Sequence, residues 1–92
     1  MQYTSEQLSK IEELASNLMP IDCIAVLTNI DEDLLRQDIA SKNNPAGKAY
    51  RLGKAKTMLE IQRQEISLAK LASPAAVENA TRYITEMETK EL

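Results

Sequence analysis

The chain has 92 residues with 14 acidic and 11 basic side chains, a formal net charge of −3 and no histidine, tryptophan or phenylalanine. A single cysteine, Cys23, excludes an internal disulfide framework, and without histidine it has no partner for a metal site or a thiol nucleophile. Only Gly47, Gly53, Pro20, Pro45 and Pro74 interrupt a composition of Leu, Ile, Ala, Val and Met, which favours helices packed on helices over strands.

The N-terminal stretch Met1–Glu6 is polar, so a secretory leader is not expected there. Thr4 or Ser5 starts the first helix, with Glu6 and Gln7 supporting its first turn. Leu8, Ile11, Leu14 and Leu18 follow at helical spacing and predict its buried face. Pro20 forbids continuation and suits the first position of a second helix carrying Ile21, Ile24, Ala25 and Leu27. Asn29 tolerates the left-handed conformation that ends helices, and Asp31 caps a third helix buried through Leu34, Leu35 and Ile39.

Ser41-Lys42-Asn43-Asn44-Pro45 reads as a loop. From Ala46 to about Leu71 only the two glycines weaken a helix of roughly 26 residues, about 39 Å long. Its apolar pattern is two-sided: Leu52, Ala55, Leu59 and Ile66 share one face, and Tyr50, Ile61 and Leu68 lie nearly opposite. One stripe is expected to meet the chain's own domain and the other a neighbouring subunit. Ser73-Pro74 is a cap with proline at the first helical position, and Val77, Ala80, Ile84 and Met87 mark a final amphipathic helix. The short link implies an antiparallel hairpin, with a frayed charged tail from Glu86 to Leu92.

The expected fold is therefore all-α: a three-helix, helix-turn-helix-like unit over residues 1–42, then a helical hairpin over 45–92 serving oligomerisation. A core this small is marginal alone, so association between copies is expected. No apolar run reaches the ~20 residues that span a membrane, and the expectation is a soluble, intracellular protein that does not enter a membrane.

Charge is segregated along the chain. Lys10 is the one basic residue before Arg36, whereas Lys42, Lys48, Arg51, Lys54, Lys56 and Arg63 face only Glu60 across residues 42–63. A helix-turn-helix needs a small residue where its two helices pack and a residue tolerant of positive φ four positions later. Ala25 and Asn29 meet these demands, and Ile24, Ile30 and Leu35 supply the flanking apolar groups. Thr28 stands where leucine is usual, Asn29 where glycine is, and Asp38 at a position often apolar.

On the third helix Arg36 and Gln37 suit base edges, arginine toward guanine and glutamine toward adenine. Lys42, Lys48, Arg51 and Lys54 suit backbone phosphates, although the helix begins with Asp31-Glu32-Asp33, which repels them. Enzymatic readings find no support. There is no base–nucleophile pair of the usual kinds and no glycine-rich phosphate loop, and the carboxylate clusters sit as solvated faces and caps. No cofactor and no metal is expected.

The order of elements, with Ala49-Tyr50-Arg51-Leu52-Gly53-Lys54 and Leu68-Ala69-Lys70-Leu71-Ala72-Ser73-Pro74-Ala75, resembles the small terminase subunits of tailed phages and prophages. The resemblance covers most of the chain. It implies a non-enzymatic DNA-packaging protein in the cytoplasm of a bacterial host. Such a protein assembles as a homo-oligomeric ring, binds double-stranded DNA with weak to moderate affinity and partners a terminase large subunit that holds the ATPase and nuclease. By position it places Arg36 and Gln37 on the recognition helix, Lys42 and Lys48 near its exit, and Tyr50, Ile61 and Leu68 at subunit contacts. Two other classes fit the same residues: a small dimeric transcription regulator, and a virion or structural interaction module that binds no DNA.

Overall fold

The computed structural model describes residues 2–71 and 74–91, the side chains of 74–76 and 91 excepted. The described residues form five α-helices and no strands: α1 (Ser5–Ser16), α2 (Ile21–Thr28), α3 (Glu32–Ala40), α4 (Pro45–Lys70) and α5 (Pro74–Glu91). Two compact units divide within α4, Met1–Thr57 and Met58–Leu92. The first unit thus runs past the loop at residues 41–45 and takes in the first turns of α4.

Local chemistry sets the helix ends. Thr4 accepts from the Gln7 backbone while the Gln7 side chain reaches back to the Thr4 N–H, a complete capping box. At the other end of α1 the chain turns at Leu18, which adopts φ 59°, and its N–H donates to Ala15 while that of Met19 donates to Leu14. This is a Schellman ending built without glycine, and it rotates Leu18 out of the buried face that its spacing predicts, leaving it 55 % exposed. Pro20 precedes α2 as its N-cap, one position before its expected place. Pro45 opens α4, and the Asn44 side chain accepts from the Ala46 N–H. Ser73 lies outside the described residues. The charged tail is helical through Glu91, further than its composition suggests.

Among the described residues the core lies wholly in the first unit: Ile11, Leu14, Ala15, Ile24, Ala25, Ile30, Leu35, Ile39 and Ala46. Tyr3, Leu8, Met19, Ile21, Ala49 and Tyr50 pack around it. Tyr50 is thereby committed to its own domain, while Leu52 and Ala55, on the other stripe, are exposed. Glycine decides this choice of face. A Cβ on Gly53 would lie 2.2 Å from the Glu12 carbonyl and 3.0 Å from the Ala15 Cβ, so α4 meets α1 with almost no spacing. Thr57 donates to the Ser16 carbonyl and Lys56 Nζ pairs with Glu12 at 2.9 Å along the same contact.

In the second unit α4 packs against α5. Asn79 donates to Glu65 at 3.1 Å, and Met58, Gln62, Ile66, Tyr83, Ile84 and Met87 line one groove between the two helices. Pairing Glu65 with Asn79, and Met58 and Gln62 with Tyr83 and Met87, is the register of an antiparallel hairpin. No described helix is long and apolar enough to cross a membrane.

Candidate nucleic-acid interface

The turn between α2 and α3 is closed by backbone hydrogen bonds. Asn29 adopts φ 57° and ψ 41°, its N–H donates to Val26 at 3.3 Å, and the Ile30 N–H donates to Ala25 at 3.0 Å. These are the two bonds of a Schellman motif, and buried Ile30 packs with buried Ala25 in the accompanying apolar contact. Asp31 then accepts from the Leu34 N–H at 3.0 Å and starts α3. Thr28, in place of the usual leucine, is half-buried and turns its hydroxyl back onto the Ile24 carbonyl at 2.6 Å. Two short helices are thus joined by a rigid three-residue turn around a small buried alanine, as a helix-turn-helix requires.

Asp38 faces neither solvent alone nor the apolar core: its carboxylate accepts from the Tyr3 hydroxyl. Partial burial first, then the hydrogen bond and negative charge of Asp38, raise the Tyr3 phenol well above its ordinary range. The N-terminal segment is pinned to α3 by this contact, which sequence reasoning missed. A polar residue at a position that should be apolar was the available signal, with no way to name its partner.

The candidate DNA-binding residues divide into three groups. Arg36, Gln37 and Lys42 are exposed, the first two on α3 and the third just after it. Arg36 Nε bonds the Glu32 carboxylate at 3.0 Å, so the one cation of α3 already holds an anion one turn away. Lys48 and Lys54 are exposed on α4, with the Lys54 ammonium 5.2 Å from the centre of the Tyr50 ring.

Arg51 is folded differently. Its Nη1 donates to the Ile39 carbonyl at 2.9 Å, and its Nη2 donates to Ser41 at 3.3 Å and to Lys42 at 3.1 Å. The guanidinium therefore covers the carbonyl end of α3. Gly47 permits this, since a Cβ there would meet the Ser41 carbonyl at 2.6 Å and Arg51 Nη2 at 2.9 Å.

The exposed side of the unit is chemically mixed. Asp31, Glu32 and Asp33 stand at the start of α3, with Arg36 and Gln37 one turn on. Long-range attraction for a polyanion is weak on such a surface, and short-range hydrogen bonding to base edges remains open to Gln37 and, once released from Glu32, to Arg36. No protein-family model matches the chain, and comparison with curated proteins and with solved structures gives no match.

Proposed function

We propose that the protein is a small-terminase-like adaptor of phage DNA packaging: its first unit reads double-stranded DNA and its hairpin assembles copies into a ring that recruits the packaging motor. The observation that carries the reading is the closed Asn29–Asp31 turn with Arg36 and Gln37 exposed beyond it. The hairpin supports the assembly half, because Met58, Leu59, Ile61, Ile66, Leu68, Val77, Ile84 and Met87 are each 42–59 % exposed. An apolar surface of this kind on a two-helix element belongs to association. Affinity for DNA is then gained by many weak contacts around the ring rather than by one tight domain. Under this reading the protein works in the cytoplasm of a bacterial host, beside a large subunit that supplies the ATPase, and is itself no enzyme.

The exposed acidic start of α3 favours a second reading, a structural interaction module that binds no DNA. Charge reversal separates the two. Arg36→Glu combined with Lys42→Glu should abolish binding to duplex DNA at low salt while leaving the native mass unchanged. Binding that survives the reversal, or an absence of binding in the unaltered protein, refutes the DNA-reading half. A monomeric native mass at moderate salt refutes the ring.

A further inference from the structure

Resting on that DNA-reading proposal, we infer that Arg51 is the positioning residue of the α3 reading face and not one of its phosphate contacts. α3 has no basic residue in its last turn. The negative end of its dipole and its unpaired terminal carbonyls are met by Arg51, from the second turn of α4.

Three N–H···O bonds, to Ile39, Ser41 and Lys42, occupy the fork of this guanidinium. A rigid fork grips carbonyls at several chain positions at once, which a lysine ammonium on a flexible stem does not reproduce. The grip fixes the backbone of Ser41 and Lys42, and with it the root of the Lys42 side chain, which is exposed like the candidate contacts Arg36 and Gln37. Gly47, against the same carbonyls, lets α4 come close enough for the arginine to reach. Sequence position alone groups Arg51 with Lys48 and Lys54 as one basic patch; the hydrogen bonds separate it from them.

The test compares full-length Arg51→Lys, Arg51→Gln and Lys48→Gln with the unaltered chain, well below the melting temperature. Two quantities are read: amide exchange over residues 38–42 in the free protein, and the salt dependence of binding to a random-sequence DNA duplex. Positioning requires that Arg51→Lys speed exchange at the end of α3 and measurably weaken binding, because Lys42 is no longer held in place. It also requires that the salt slope stay unchanged. Lys48→Gln should leave exchange alone and lower the slope by about one, as a lost phosphate contact does.

Arg51→Gln removes the charge as well, and should speed exchange at least as much as Arg51→Lys while leaving the salt slope unchanged. If Arg51→Lys binds and exchanges like the unaltered chain while Arg51→Gln lowers the slope by about one, Arg51 is a phosphate contact and the inference is overturned. If no protein binds duplex, the DNA-reading proposal fails by itself. Unchanged exchange in both Arg51 variants then overturns the clamp, and faster exchange upholds it.

Discussion

Residues 1–57 and residues 58–92 are both helical and both rich in Leu, Ile and Ala, yet they use these residues in opposite ways. The first unit encloses nine buried apolar side chains. Among its described residues the second buries none, although its helices carry Met58, Leu59, Ile61, Ile66, Leu68, Val77, Ile84 and Met87. Topology makes the difference. Three short helices at steep turns, crossed by the start of a fourth, surround a volume, whereas two antiparallel helices share only a line of contact. The same composition therefore supplies a core in one place and an adhesive surface in the other. Stability of the single chain resides in the first unit, and any gain from the second waits for a partner.

Truncating one leucine in each unit tests this most severely. Leu35 is fully buried and Leu59 is 51 % exposed. In dilute, dissociated protein Leu35→Ala should cost about 2–5 kcal/mol, and Leu59→Ala less than about 0.5 kcal/mol, both by urea unfolding. At concentrations where the chain associates, Leu59→Ala should lower the native mass and Leu35→Ala should not, as long as it folds. Similar losses for the two in dilute protein would abolish the contrast.

Glycine sharpens the comparison within a single helix. Both glycines fall in the part of α4 that serves the first unit, and the part beyond Thr57 has none. By propensity alone, glycine to alanine inside a helix gains up to about 1 kcal/mol. At position 53 the new methyl would press on the Glu12 carbonyl, a backbone atom that cannot swing aside. Gly53→Ala should therefore destabilise the chain by about 1–3 kcal/mol, an overpacking cost that outweighs the propensity gain. A stabilised Gly53→Ala would mean that α4 does not ride this closely on α1.

Much of the architecture was legible because it is written locally. The capping box at Thr4, the left-handed asparagine at 29, the Asp31 cap and the Asn44-Pro45 loop each act within a few residues, and each marks a helix end in the structure. What escaped depends on residues far apart in sequence. The two stripes of α4 have similar hydropathy, so their pattern could not tell that the Tyr50 side turns inward near α1 while Leu52 stays outside. A glycine inside a helix announced a cost without saying which backbone it admits. Arg51 looked like one more cation on a basic patch, since nothing local records that its fork reaches the end of the preceding helix. The turn of the candidate site was thus readable from sequence, and the bonds that hold its reading helix in place were not.

The smallest expected effect concerns one of those bonds. Neutral Tyr3 donates to Asp38, and burial together with that carboxylate holds the phenol protonated beyond its ordinary pH. In the unfolded chain tyrosine loses its proton near pH 10. Above that pH the folded state retains a proton that the unfolded state has released, so folding becomes less favourable as pH rises. Stability contributed by Tyr3 is thus complete below about pH 10 and declines through the alkaline range. Tyr3→Phe, which cannot ionise, should be slightly less stable at neutral pH by under about 1 kcal/mol, the scale of one hydrogen bond. Its stability should then fall less steeply above pH 10. Urea unfolding of both chains across that range isolates Tyr3, because everything else that titrates at high pH is common to the two. Parallel curves would show that the bond to Asp38 does not form in solution, and the N-terminal segment would then be free of α3.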